Sequence, residues 1–161
     1  DDFLTDMTDS NTPYLTYKLD LIKTIASKAA DAHYRKAFDL RIRELRVLRL
    51  VHRFPGITAT ELGSKLVVDK TLLSKNIAHL EARGLITREA DARDNRLQCL
   101  NLTEAGLKIW QESERIGRGL EDEMFSGLTP DEWDELHDLL DRVILSFNRW
   151  SAKGQAGPRG G

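Results

Sequence analysis

The chain has 161 residues, 40% hydrophobic and 31% charged, with a formal net charge of −2 and one cysteine. That length suits one domain, with a core shared between two copies as a second possibility, and the composition supports a packed core under a solvated surface. No apolar run approaches the roughly 18 residues of a membrane span; the acidic start lacks a secretory pattern; the lone Cys99 cannot pair internally. A cytoplasmic protein with no membrane partner is therefore expected.

Residues 1–11 are expected to be disordered. Ser10-Asn11-Thr12-Pro13 then reads as a helix start, with proline near the first helical position. Leu15, Leu19, Ile22, Ala26, Ala29 and His33 recur at threes and fours, which predicts an amphipathic helix over 13–34. A second helix is predicted over 43–54, with Leu45, Leu48 and Val51 as its apolar stripe, stopped by Pro55-Gly56. Thr58-Ala59-Thr60-Glu61 has the hydroxyl-then-carboxylate spacing of a capping box and opens a short helix over 59–66. After the turn Val67-Val68-Asp69, Asp69 caps a helix over 70–82 with Leu73, Ile77 and Leu80 inward, and Gly84 can end it.

Residues 85–89 and 97–102 have the composition of strands, and polar residues 91–95 between them make a hairpin with a charged tip. Thr103 caps a helix over 104–126. Thr129-Pro130-Asp131-Glu132 opens a last helix, whose Trp133, Leu136, Leu140, Val143, Phe147 and Trp150 repeat at 3, 4, 3, 4 and 3. That is a heptad seam. Long amphipathic helices at both ends need cover, either from each other or from a second copy. The last residues, 151–161, are rich in Gly, Pro and Ala and are expected to form a flexible tail.

The charge is unevenly spread. From Arg35 to Arg96 there are 14 Lys/Arg against 8 Asp/Glu, whereas from Glu104 to Asp141 there are 3 against 12. A basic middle offers a face to phosphates and an acidic end stays away from them. The helix over 70–82 fits the width of a DNA major groove. Lys70, Thr71, Ser74, Lys75, Asn76 and His79 are assigned to its outward face, and the first four sit in the turns that reach base edges.

A short helix, a tight turn, a recognition-type helix and then a charged hairpin follow the order of a winged helix-turn-helix. Leu66-Val67-Val68-Asp69-Lys70-Thr71, Leu80-Glu81-Ala82-Arg83-Gly84-Leu85-Ile86, Asp91-Ala92-Arg93-Asp94-Asn95-Arg96 and Leu100-Asn101-Leu102-Thr103-Glu104-Ala105-Gly106 together resemble successive signatures of the MarR family, over roughly residues 13–150. The resemblance implies a mainly α fold with a small β-hairpin wing. A winged helix-turn-helix lobe over 35–103 would be joined to a helical dimerisation region over 12–34 and 104–150. It also implies a homodimer on a pseudo-palindromic double-stranded operator, most often as a repressor. The wing chemistry is readable independently: a narrow minor groove attracts an inserted arginine. Arg96 is the candidate, Asp94 can hold its guanidinium, and Arg93 suits phosphate.

Relatives commonly take a small aromatic or phenolic acid between the dimer helices and the lobe. The resemblance puts Tyr17, Thr24, His33, Arg43 and Trp110 in that crevice, with His33 or Arg43 as the cation. Two alternatives stand beside this reading: oxidation of Cys99 as the switch, and a winged helix that binds protein instead of DNA. The chain has no Gly-rich phosphate loop, nucleophile elbow or cysteine-histidine zinc spacing, and its histidines 33, 52, 79 and 137 are scattered. No enzyme, cofactor or metal is expected.

Overall fold

A computed structural model describes Thr8, residues 14–66 and residues 68–155. The Ser10–Pro13 helix start, most of the 1–11 segment, Val67 of the expected turn and residues 156–161 of the expected tail lie outside the described residues. The described residues contain six helices and a three-stranded sheet. They are α1 (Leu15–Phe38), α2 (Ile42–Arg53), β1 (Ile57–Thr58), α3 (Ala59–Lys65), α4 (Lys70–Ala82), β2 (Ile86–Ala90), β3 (Gln98–Leu102), α5 (Glu104–Met124) and α6 (Pro130–Gln155). No described helix is long and apolar enough to cross a membrane. Two compact units divide the chain, 1–120 and 121–161.

In the first unit, α1 runs four residues beyond its expected end. Nothing in Arg35–Phe38 breaks a helix, and it stops only where Asp39 turns left-handed at φ 53° and its N–H bonds the Arg35 carbonyl. α2 turns five residues inward, among them Leu45, Leu48 and Val51. These meet Leu62 of α3, Leu73, Ile77 and Leu80 of α4, and Ile86 and Leu100 of the sheet in one apolar cluster. Each large aliphatic side chain so buried contributes about 1.5–3 kcal/mol before entropy is charged against it.

The sheet order is β1-β3-β2, all antiparallel, with Ile57 opposite Leu100 and Ile86 opposite Leu102. β1 is absent from the sequence expectation because two residues carry no periodicity; it forms by pairing with β3. The Thr58 capping box is formed in full: Thr58 Oγ1 accepts from Glu61 N at 3.2 Å and Glu61 Oε2 accepts from Thr58 N at 3.1 Å. Gly56 and Gly84 take φ values of 81° and 69°, which a side chain would resist, at the turns into β1 and toward β2.

α5 begins hard against the lobe. Thr103 Oγ1 accepts from Gly106 N at 3.0 Å and donates to the Gly84 carbonyl at 2.6 Å. Ile109 and Ile116 pack on the core. In the second unit Thr129 and Glu132 complete another capping box, and the Phe125 and Trp133 rings lie 4.9 Å apart. α6 continues to Gln155, five residues into the stretch expected as tail, and it leaves Leu139, Val143, Ile144, Leu145, Phe147 and Trp150 exposed.

Candidate nucleic-acid interface

α4 is the element on which the candidate interface is built. Asp69 starts it by accepting the Thr71 and Leu72 amides on one oxygen at 2.8 and 3.2 Å. A carboxylate there also complements the positive end of the helix dipole. Leu73, Ile77 and Leu80 anchor the inner face. Lys70, Thr71, Ser74 and Lys75 are exposed, a compact set of two cations and two hydroxyls on the first turns.

One residue assigned to that face stands differently, and a second also reaches α2. Asn76 is buried, at 9% exposure. It follows Leu73 by three residues and precedes Ile77 by one, so the helical period rotates it onto the inner stripe. The outward assignment of Asn76 is thereby corrected. His79 is exposed, and its Nδ1 lies 3.1 Å from Glu44 Oε1 on α2. Glu44 was not singled out from the sequence, because helical spacing alone does not foretell a buried carboxylate. Arg83, just past α4, donates to the Phe38 and Asp39 carbonyls at 2.9 and 3.1 Å and ties this end of α4 to the end of α1.

The wing tip is ordered by two aspartates. Asp91 Oδ1 accepts from the Arg93 and Asp94 amides at 2.6 and 3.3 Å, and Asp94 Oδ1 accepts from the Arg96 amide at 3.0 Å. The Arg96 guanidinium stands 3.5 Å from Asp94 with 93% of its side chain exposed. Arg93 is exposed beside it. A charge held at the tip of a hairpin and barely touching protein is suited to entering a groove. The Asp91 position is the missed feature here: its sequence signal is an acid two and three residues before turn amides, an Asx-turn.

Cys99 donates its thiol to Asp91 Oδ2 at 3.4 Å. The hydrogen bond from the Arg93 amide, with a second from Cys99, holds the Asp91 carboxyl below its ordinary range. The same carboxylate pushes the Cys99 thiol up.

The residues expected around a small ligand are only partly gathered. Thr24 and Arg43 line an open cleft of about 540 Å³ between α1, the start of α2 and the entry to α4. Lys23, Arg41 and Arg46 add cations, and Asp20, Asp31 and Asp69 add acids. Asp31 is engaged with the Ile42 amide at 2.9 Å and Arg46 with Ser27 at 3.2 Å. Tyr17, His33 and Trp110 are not in the lining. His33 Nδ1 is 3.0 Å from the Ala29 carbonyl of its own helix. The Trp110 ring stacks on His52 with centroids 3.5 Å apart. Among the described residues no group of three or more His, Cys, Asp or Glu stands ready to hold a metal.

The MarR family profile matches residues 38–97. The transcriptional regulator HosA of Escherichia coli is 30% identical over 106 residues, which cover 66% of this chain and 78% of HosA. A crystal structure of MarR superposes with a TM-score of 0.80 at 25% identity, covering 91% of this chain and 98% of MarR. A mutant MarR from E. coli complexed with operator DNA superposes with a TM-score of 0.71 at 25% identity, covering 81% of this chain and 93% of that one. HosA is a transcriptional regulator. Capped helix pair, ordered wing and likeness along most of the chain agree: the protein belongs to the MarR family of winged-helix transcriptional regulators.

Proposed function

We propose that this regulator binds a pseudo-palindromic double-stranded operator as a homodimer and acts as a repressor that a small ligand releases. The observation that carries the DNA reading is the exposed set Lys70, Thr71, Ser74 and Lys75 on the first turns of α4 together with the protruding Arg96. The α4 groups read base edges in the major groove. Arg96, held by Asp94, enters the minor groove, and Arg93 meets phosphate. The MarR relative solved on operator DNA supports the same reading.

The exposed Leu15, Leu19, Ile22 and Ile25 of α1 and the exposed apolar residues of α6 support dimerisation, because such faces demand cover. The dimerisation region would then comprise 12–34 and 104–150 and the DNA-binding lobe 35–103. A dyad would set the two α4 helices about 34 Å apart, on half-sites about 10 bp apart. The cleft beside α4 is the proposed ligand site, with Thr24 as a hydrogen-bonding group and Arg43 as the cation for a small aromatic carboxylate or phenolate. Oxidation of Cys99 is the weaker switch, since a thiol raised by Asp91 offers little thiolate.

Fluorescence anisotropy on duplexes selected from a random-sequence pool tests this reading. Selective binding that weakens steeply with salt, relieved by an aromatic acid and lost in relief by Arg43→Ala, is the expected result. Salt-insensitive binding without sequence preference would place the chain with protein-interaction modules.

A further inference from the structure

Glu44 is 7% exposed, on the face of α2 that otherwise presents Leu45 and Leu48 to the core. One of its oxygens is hydrogen-bonded with His79 Nδ1 at 3.1 Å, and the other is buried with no hydrogen-bond partner. Burying a carboxylate in an apolar seam is costly, so its place there needs a reason. A hydrogen bond between these two atoms runs along one line, so it has a direction whichever atom carries the proton. The apolar contacts between α2 and α4 have none, since hydrophobic packing tolerates small rotations and slides.

We propose that Glu44 is a positioning residue for DNA reading: through His79 it fixes the rotation of α4 about its axis. It thereby sets where Lys70, Thr71, Ser74 and Lys75 meet base edges. This rests on the operator-binding reading above. Asp69 caps the start of α4, Glu81 pairs with Arg88 of β2 at 3.3 Å and Arg83 ties the end of α4 to α1, while the Glu44–His79 bond is a directional contact that joins α4 to α2. His79 then serves α4 from behind and is not itself a base reader.

The test uses the full chain, a duplex selected by the wild type from a random pool, and a scrambled duplex of equal length. Glu44→Met removes the acceptor and keeps an apolar side chain of similar size. It is expected to weaken binding to the selected duplex about tenfold, the scale of one lost base contact. Binding to the scrambled duplex should change less than about twofold, because phosphate contacts do not need a fixed rotation. Adding His79→Ala to Glu44→Met should cost nothing further, and His79→Asn, whose amide can donate from the place of Nδ1, should retain most of the affinity. Additive losses would put His79 on the DNA itself and overturn the proposal. Equal losses on both duplexes would overturn it too, as the mark of general destabilisation. If the wild type showed no sequence preference, the operator reading would fall. The brace would then be decided by hydrogen exchange in the free protein, where faster exchange of amides 70–82 in Glu44→Met supports it and unchanged exchange overturns it.

Discussion

Replacing Gly106 with alanine sets two opposing effects on one helix. In an unobstructed helix interior alanine is favoured over glycine by about 1 kcal/mol. At Gly106 an added Cβ would stand 2.0 Å from the Leu85 carbonyl oxygen and 3.0 Å from its carbon. That neighbour is backbone and cannot swing aside. It is also anchored: Leu85 is 3% exposed, its amide donates to the Leu80 carbonyl at 3.0 Å, and its own carbonyl accepts from Thr103 N at 3.1 Å. Relief requires the start of α5 to move by about 1 Å or more to regain ordinary contact distance. Such a shift strains the Thr103 bonds to Leu85 and Gly84, at about 0.5–1.5 kcal/mol each, and overpacking itself costs about 1–3 kcal/mol.

Set against the propensity gain, the net destabilisation is about 3 kcal/mol. For a chain of this size that lowers Tm by about 10 °C. Thermal unfolding followed by circular dichroism checks it, at one protein concentration because the proposed dimerisation would couple Tm to concentration. Gly119→Ala on the same helix is the control, since nothing lies within 4 Å of its added Cβ and its Tm should hold or rise. A Gly106→Ala protein melting at or above the wild-type temperature would refute the argument from close approach.

Arg96→Ala is expected to lower operator affinity at least about tenfold while Tm stays within about 2 °C, because an ion pair this exposed stabilises the fold by less than about 1 kcal/mol; anisotropy and thermal unfolding read the two effects separately. Asp69→Ala removes the acceptor of two α4 amides and should destabilise the protein by about 1 kcal/mol in urea unfolding. Asp91 has a lowered pKa in the folded chain, so its contribution is complete above the ordinary value of 3.8 and is lost as pH falls through the folded one. Asp91→Asn should therefore flatten the acid limb of a stability-versus-pH curve, and an unaltered limb would remove Asp91 from the wing's support. The raised Cys99 thiol should react with iodoacetamide at pH 8 more slowly than an unstructured cysteine peptide, and Asp91→Asn should speed it.

Where local chemistry decides an element, residues alone determined it. Thr58 with Glu61, Asp69 before Lys70 and Thr129 with Glu132 each satisfy amides within three residues, so those helix starts were legible. The apolar period likewise marked Leu73, Ile77 and Leu80 as inward, and the alternation around Leu100 marked the wing strands. Tertiary structure decided what depends on partners far along the chain. β1 exists because Ile57 and Thr58 meet Leu100 and Cys99. Asn76 is inward because the buried face of α4, packed against α2 and the sheet, is wider than three leucine-type positions suggest. His79 is turned to Glu44, 35 residues away, and Arg83 to carbonyls 44 and 45 residues away. Thr24 and Arg43 share a cleft, while Tyr17, His33 and Trp110 stand outside its lining. Spacing along a helix says which side chains share a face, but only the packed chain determines what that face meets.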